Sequence, residues 1–227
     1  MEIWAVLSQK GGAGKTTLAI HLAVSAMEAG RTVLIIDLDP QQSAAKWANI
    51  RNHAAPKVQP VVMPDLTKIL AEASKRFDLA IIDTSPRADR DCIEVCRKAD
   101  LVILPVRPSL WDVAALKETV HLIDLAGQTA KNVIVLNAVA TRTTEGKEAA
   151  DLLSQGRTVL KPRIGDRVDI RRAIANGQAV TEFAPSSKAA EEMTALYQEI
   201  AKHRRLSHEL EEGITRSGTR QGAGSGS

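Results

Sequence analysis

The apolar segment Ile3-Trp4-Ala5-Val6-Leu7 is followed, after two residues, by Lys10-Gly11-Gly12-Ala13-Gly14-Lys15-Thr16-Thr17, and this succession decides the fold. The first segment is typical of a buried strand, and the second is a glycine-rich turn that leads into a helix. Such a strand–turn–helix unit directs backbone N–H groups into one small volume, where the positive end of the helix dipole also attracts anions. The sequence therefore predicts a phosphate-binding loop over residues 10–17.

The polar residues of this loop have expected roles in binding a nucleotide. In a P-loop, the lysine after the last glycine reaches the β- and γ-phosphates, and the hydroxyl of the next residue is a ligand of Mg²⁺. Lys15 and Thr16 hold these positions, whereas the usual spacing would place a glycine where the chain has Gln9. A second lysine, Lys10, begins the loop instead. We expect the nucleotide to be held by Gly11, Gly12, Ala13, Gly14, Lys15, Thr16 and Thr17.

Length and composition fit one α/β domain. The 227 residues are 44% hydrophobic and 25% charged, and their net charge of +3 permits the binding of a polyanion without demonstrating it. We expect neither a membrane span nor a signal peptide, because the apolar runs are short and the first of them is a strand. Cys92 and Cys96 are too few for a disulfide framework. We expect them to be buried thiols in a cytoplasmic protein, with a metal site as the alternative.

Apolar runs alternate with helical patterns along almost the whole chain. Because most of these runs are continuous, they predict strands of a parallel sheet that is covered on both faces. The fold class is therefore α/β, with a doubly wound, mostly parallel sheet flanked by helices. The predicted strands are 2–8, 32–37, 58–63, 78–83, 100–105 and 132–137, and the predicted helices are 15–29, 41–52, 65–76, 88–98 and 110–127.

The remainder of the chain is expected to close this domain. Residues 157–162 predict a short edge strand, and residues 186–203 predict an amphipathic helix. From about residue 206 the chain is polar, and it ends in Gly222-Ala223-Gly224-Ser225-Gly226-Ser227. We expect one domain over residues 1–205 and a mostly disordered tail over residues 206–227.

Three aspartates follow predicted strands. Asp37 and Asp39 end the second strand, and Asp83 ends the fourth. Parallel strands bring such residues to one edge of the sheet, where α/β proteins bind their ligands. Asp83 is expected to hold Mg²⁺ through water, Asp37 to order the water around the metal, and Asp39 to orient the attacking water. For any one of these aspartates, capping of the strand end is the alternative.

The pattern Lys-Gly-Gly-x-Gly-Lys-Thr-Thr resembles the deviant Walker A motif of the ParA/MinD family of ATPases. The resemblance implies ATP and Mg²⁺ as cofactors and a homodimer in which Lys10 contacts the phosphates bound by the partner subunit. Asp37-Leu38-Asp39-Pro40-Gln41 resembles switch I of the family, which makes Asp39 the aspartate needed for hydrolysis. Asp83-Thr84-Ser85-Pro86 resembles switch II, although the family usually has proline at the third position.

Asn137 ends the sixth predicted strand. Its amide can both donate to and accept from a purine edge. In the family an asparagine at this strand end contacts adenine, so the resemblance implies a role for Asn137 in base recognition. Capping of a turn is the alternative.

A basic region extends from residue 142 to residue 172, with eight basic and five acidic residues. One explanation is a solvated helical face. The other is a surface that binds the DNA backbone without reading sequence. The segment 167–191 also resembles the C-terminal region of ParA proteins, where a basic residue in the place of Lys188 helps to bind DNA. The candidate DNA-binding residues are Arg163, Arg167, Arg171, Arg172 and Lys188.

The resemblance is greatest to short ParA proteins of the Soj and ParF type, which partition plasmids or chromosomes. It implies a nucleoid-associated ATPase whose ATP-bound dimer binds DNA nonspecifically and is released when a ParB-like or small centromere-binding partner stimulates hydrolysis. Some relatives position protein complexes instead. A MinD-like regulator at the membrane is an alternative, but residues 203–212 lack the strong apolar face that membrane binding requires. An ATP-dependent metabolic enzyme is a further alternative.

Overall fold

A computed structural model describes residues 1–86, 89–127, 132–140, 144–154 and 157–221. Its centre is a six-stranded parallel sheet with the strand order β3-β2-β4-β1-β5-β6. All six predicted strands are confirmed, each within a few residues of the expected bounds. They are β1 Glu2–Val6, β2 Val33–Asp37, β3 Lys57–Pro60, β4 Leu79–Asp83, β5 Leu101–Val106 and β6 Asn132–Leu136.

Helices cover both faces of this sheet, which confirms the doubly wound α/β class. The helices are α1 Lys15–Glu28, α2 Ser43–Ile50, α3 Leu66–Ala73, α4 Asp89–Lys98, α5 Leu110–Leu125, α6 Glu145–Leu153, α7 Val168–Ala175, α8 Val180–Phe183 and α9 Lys188–Gln221. Successive residues of a strand point to opposite faces. Trp4 and Val6 accordingly belong to one buried cluster with α1 and α9, while Ala5 and Leu7 belong to the other with α3, α4 and α5.

The first helix shows how the sequence sets its ends. Gly14 precedes it with φ 92°, a left-handed conformation that glycine adopts without steric cost. Gly30 follows it with φ 86°, and the N–H groups of Gly30 and Arg31 donate to Met27 and Ala26 at 2.9 and 3.1 Å. These two bonds form a Schellman motif. The sequence therefore specifies both the start of the helix at the phosphate-binding loop and its end.

Two expectations for the second half of the chain are wrong. Residues 157–162 do not form a strand: Val159 makes one isolated bridge with Ile134, because Pro162 has no N–H to continue the ladder. The last helix does not end near residue 203 but continues to Gln221, so residues 206–221 are helical rather than disordered. This segment contains no proline and several strong helix formers, chiefly Glu, Leu and Arg. Residues 222–227 lie outside the described residues, and the division into domain and tail at residue 205 stays a prediction.

The sheet brings the carboxyl ends of its strands to one edge. Asp37 of β2 lies beside Asp83 of β4, and Asp83 lies beside Val6 at the end of β1. The chain enters the glycine-rich loop directly after β1, so the loop and both aspartates share this edge. No helix in the described part of the chain is long and apolar enough to span a bilayer.

Candidate nucleotide-binding site

The loop between β1 and α1 has, at two positions, a left-handed backbone that favours glycine. Gly12 and Gly14 have φ values of 75° and 92°. At Gly14 a side chain is also excluded by space, because a Cβ atom there would lie 2.2 Å from Nδ2 of Asn137. Left-handed residues in such a turn are typical of loops whose successive N–H groups bind one anion.

Lys15 lies in the interior of this site, only 7% exposed. Burial lowers the pKa of its ammonium group, and the nearby carboxylates of Asp83 and Asp39 oppose that shift. The cation thus lies close to the carboxylates that end β2 and β4. A buried, preorganised ammonium group attracts phosphate more strongly than a solvated one, because less water screens the charge.

Asp83 has the most unusual surroundings of the three aspartates. It is fully buried, and neither carboxylate oxygen has a hydrogen-bond partner of good geometry among the described residues. Burial raises the pKa of this carboxyl group to about 7, against the opposing influence of the Thr16 hydroxyl. Two unpartnered buried oxygens next to a threonine hydroxyl fit a hydrated Mg²⁺ ion, which prefers oxygen ligands and keeps several waters. In the described ranges, no three His, Cys, Asp or Glu side chains cluster to hold a metal alone, so nucleotide oxygens would complete the site.

Asp37 and Asp39 mainly organise the loop after β2. The carboxylate of Asp37 is buried and accepts from the N–H groups of Asp39 at 3.1 Å and Ala45 at 3.0 Å. Burial raises its pKa, while those N–H groups oppose the rise. Asp39 accepts from Gln41 N–H at 2.9 Å and lines a cavity of about 600 Å³ with Ser85 of the loop after β4. The two switch-like loops therefore face one cavity, but the roles of these aspartates in metal and water binding stay predictions.

Lys10 has a partner that the sequence does not predict. Its Nζ lies 2.9 Å from Oδ2 of Asp112 in the first turn of α5. Asp112 is 9% exposed and Lys10 is 39% exposed, so the ion pair lies at the rim of the site. Asp112 N–H donates to Oγ of Ser109, the N-cap of α5, at 3.1 Å. The sequence Ser-x-x-Asp is a recognisable helix start, but only the fold shows that Lys10 lies next to it.

Asn137 is attached to the phosphate-binding loop. Its side chain donates from Nδ2 to the carbonyl oxygen of Ala13 at 2.8 Å, and the next residue, Ala138, has a left-handed φ of 52°. Left-handed backbone is unfavourable for alanine and is found mostly where the surroundings enforce it. The structure thus holds Asn137 firmly beside the P-loop. Its role in base recognition stays a prediction.

The candidate DNA-binding residues differ in whether they pair with a carboxylate. Arg167 forms an ion pair with Glu192 at 2.6 Å, Lys188 pairs with Glu191 at 2.8 Å, and Arg171 pairs with Asp166. Arg163 and Arg172 are exposed and have no carboxylate partner within the described part of the chain. Arg142 of the same basic region lies outside the described residues. Cys92 and Cys96 are buried, as the sequence predicts, and their sulfur atoms are not joined in a disulfide.

Comparison with known proteins agrees with this geometry. Residues 4–180 match the CobQ/CobB/MinD/ParA nucleotide binding domain. Maintenance of carboxysome distribution protein A of Gloeobacter kilaueensis is 34% identical over 205 residues, which are 88% of this chain and 93% of that protein. The chromosome-partitioning ATPase Soj of Thermus thermophilus is 26% identical, with 86% of this chain and 94% of that protein covered.

Solved structures show the same fold. The cell division ATPase MinD of Pyrococcus furiosus gives a TM-score of 0.72 at 21% sequence identity, over 88% of this chain and 98% of that chain. The family match covers well over half of the chain and includes the glycine-rich loop, Asp37, Asp39 and Asp83. The chain therefore belongs to the ParA/MinD family of nucleotide-hydrolysing ATPases.

Proposed function

We propose that this chain is an ATP-driven positioning switch. ATP and Mg²⁺ bind at the P-loop, two loaded subunits form a dimer with the nucleotides in the interface, and the dimer binds DNA without sequence selection. Hydrolysis, stimulated by a ParB-like or small centromere-binding partner, dissolves the dimer and releases the DNA. The protein is then cytoplasmic and associated with the nucleoid.

The different surroundings of the two P-loop lysines carry this proposal. Lys15 is buried near Asp83, where it serves the nucleotide of its own subunit. Lys10 lies at the rim, where its ion-pair partner among the described residues is Asp112. The Lys10 side chain is 39% exposed, so it can leave this partner for a phosphate without first being uncovered. A lysine at the rim is suited to reach the nucleotide of a second subunit.

Different residues of the chain have different roles in the proposed hydrolysis. Lys15 and the loop N–H groups hold the phosphates, and Thr16 with Asp83 holds the hydrated metal. Bound Mg²⁺ would offset the negative charge that develops on the transferred phosphoryl group. Asp39 orients the attacking water, and Lys10 of the second subunit adds positive charge on the other side. Hydrolysis then depends on dimerisation, because one subunit alone lacks that second lysine.

The cargo of the switch has two candidates. Relatives of this chain carry the names of chromosome-partitioning ATPases and of carboxysome distribution proteins. We therefore propose either a plasmid or chromosome, or a protein assembly, as the cargo of the DNA-bound dimer. The membrane-associated alternative has less support, since it requires an apolar helix face for insertion.

Asp39→Ala is expected to separate dimerisation from hydrolysis. Loss of the group that orients water lowers hydrolysis by about 100-fold or more, while Lys10 and Lys15 still bind ATP. Light scattering after size exclusion should show a dimer that forms with Mg·ATP and persists for hours, whereas the parent dimer decays. The matched control is Asp65→Ala, which removes an exposed carboxylate from the same cavity. An Asp39→Ala protein that stays monomeric with ATP would contradict the proposed switch.

Arg163 and Arg172 offer the clearest test of DNA binding, because both are exposed and lack an ion-pair partner among the described residues. Exchange of both for glutamine should weaken binding to any DNA and reduce the slope of log affinity against log salt by about 2 per subunit. Nucleotide affinity should not change. The control is Lys57→Gln on the edge strand β3, at the opposite side of the sheet from β6.

Binding measured by anisotropy with ADP, ATP and a slowly hydrolysed analogue would show whether DNA binding requires the triphosphate. A parallel measurement with anionic vesicles tests the membrane alternative. If the Arg163→Gln, Arg172→Gln protein kept its DNA affinity, these two residues would not belong to the DNA-binding surface. Binding to vesicles but not to DNA would replace the proposed function by the membrane alternative.

A further inference from the structure

Arg107 lies against the phosphate-binding loop, although no sequence motif includes it. It is the first residue after β5, which is the neighbour of β1 in the sheet. Leu7 N–H donates to the carbonyl oxygen of Ile103 at 3.0 Å. The segments that follow β1 and β5 therefore begin next to each other. A Cβ atom built on Gly12 would lie 3.9 Å from Nη2 of Arg107. The guanidinium group is therefore in van der Waals reach of the loop that receives the phosphates.

The segment that carries Arg107 is fastened on both sides. On one side, Asn137 N–H donates to the carbonyl oxygen of Val106 at 2.8 Å, and the side chain of Asn137 binds Ala13 of the P-loop. On the other side, Asp112 of α5 forms the ion pair with Lys10. Because both contacts end on the P-loop, the backbone at Arg107 is held next to the loop. The fold thus fixes the position of the backbone from which the Arg107 side chain extends.

The charge of Arg107 is available for a ligand. Lys10 is neutralised by Asp112, and Lys15 lies near Asp83 and Asp39. For Arg107, in contrast, the described ranges of the chain provide no carboxylate partner, and the residue is exposed. A guanidinium group presents a planar fork of N–H donors that matches two oxygens of a phosphate and remains charged at every physiological pH. Among the described cations next to the loop, which are Lys10, Lys15 and Arg107, it is Arg107 that has neither a carboxylate partner nor a role in the proposed function.

We propose that Arg107 binds a phosphate oxygen of the nucleotide held by the P-loop of its own subunit. The proposal rests on the proposed function, since it assumes a nucleotide at this loop, and adds a third cation to Lys10 and Lys15. Its interaction forms within one subunit, so it contributes to affinity before any dimer exists. Arg107 thereby acts with Asn137, which holds the same segment in place.

Equilibrium binding of Mg·AMPPNP and Mg·ADP to Arg107→Gln tests this contact, at protein concentrations where the subunits are monomeric. A charge-assisted hydrogen bond to phosphate corresponds to about a tenfold or larger loss of AMPPNP affinity. Arg107→Lys, which keeps the charge but not the fork, should fall between the parent and Arg107→Gln. The matched control is Arg97→Gln. Arg97 is exposed near the end of α4, at the edge of the sheet opposite the P-loop, where Asp100 N–H donates to Ile3.

The outcomes of this series distinguish the role of Arg107 from the nucleotide site itself. Unchanged affinity of Arg107→Gln for both nucleotides overturns the proposal, and so does a loss that occurs only at concentrations where dimers form, because Arg107 would then contact the partner subunit. A Lys15→Ala protein measured in the same series separates the two levels of inference. If Lys15→Ala loses nucleotide binding and Arg107→Gln does not, only the role of Arg107 fails. If Lys15→Ala keeps its affinity, the proposed nucleotide site itself fails.

Discussion

Lys15→Ala is expected to lower the affinity for Mg·ATP by at least about 100-fold. Lys15 is 7% exposed and its ammonium group lies near the carboxylates of Asp83 and Asp39, so it would meet the phosphates in a largely buried site. Hydrogen bonds to charged groups contribute about 1.5–3 kcal/mol each, and 1.4 kcal/mol corresponds to a factor of ten in affinity. A lysine that binds two phosphates therefore accounts for two or more powers of ten. Isothermal titration with Mg·ATP measures this loss directly.

The same substitution should leave the fold largely intact. Without the ammonium group, Asp83 loses a neighbouring positive charge, but its carboxyl group already has a pKa of about 7 and can take up a proton at neutral pH. A protonated carboxyl group is far less costly to bury than a charged one. Lys46→Ala on α2 is the matched control, because this lysine is exposed and close to the switch I segment in sequence. Retention of ATP affinity within about threefold in Lys15→Ala would contradict the assignment of the loop.

Most of the fold could be predicted because its signals are local. Continuous apolar runs marked the strands, and glycines with positive φ marked the loop and the end of α1. The strand 157–162 was wrongly predicted, since short apolar runs do not show whether a neighbouring strand has hydrogen-bonding groups in register with them. The helix beyond residue 203 is not evident from the sequence, because a polar composition suits both a disordered tail and an exposed helix, and helix propensity decides between them.

In the candidate site, too, some residues could be predicted from local sequence and others could not. Lys15, Thr16 and Asp83 come together as expected, because a P-loop and parallel strand ends meet at one edge of any such sheet. The neighbours of Lys10 and Gly12 could not be predicted, since Asp112 and Arg107 reach the loop only through the adjacency of β1 and β5. Lys10 and Asp112, and likewise Gly12 and Arg107, are 95 or more positions apart in sequence, and only the tertiary structure brings them together. The sequence thus indicates the chemistry of each side chain but not its distant neighbours.

Arg51→Ala is expected to lower the free energy of unfolding by about 3 kcal/mol. The Arg51 side chain is 1% exposed, and its guanidinium group binds both carboxylate oxygens of Glu182 at 2.6 and 2.8 Å. It also donates to the carbonyl oxygens of Gly177 at 3.0 Å and Ala55 at 2.7 Å, and it lies 4.9 Å from the ring centroid of Trp47. The truncation removes all these contacts and leaves buried acceptors unsatisfied.

The geometry around Arg51 leaves little room for rearrangement. Gly177 has φ 69°, and a Cβ atom there would lie 2.7 Å from the backbone nitrogen of Arg51, so the two segments are in direct contact. Glu182 keeps a hydrogen bond from Ala179 N–H at 2.8 Å but loses its cation. Burial by itself raises the pKa of Glu182, and the bonds from Arg51 lead the opposing influences that bring it below its usual value. In Arg51→Ala the stabilisation that this carboxylate gives above pH 4.5 should therefore be largely lost.

Urea denaturation followed by circular dichroism measures the effect, with Arg31→Ala as the matched control. Arg31 also pairs with a carboxylate, Glu2 at 2.9 Å, and lies over an aromatic ring, but its side chain is 25% exposed, so a loss of about 1 kcal/mol is expected. Combining Arg51→Met with Glu182→Leu should cost less than Arg51→Met alone, because no unpaired charge then remains buried. A loss below 1 kcal/mol for Arg51→Ala, or strict additivity in the double variant, would mean that the pair does not stabilise the contact between α2 and the α7–α8 region.

Arg51 directly follows α2, the helix after the switch I segment. The pair therefore connects the nucleotide side of the molecule to the region next to the proposed DNA-binding residues.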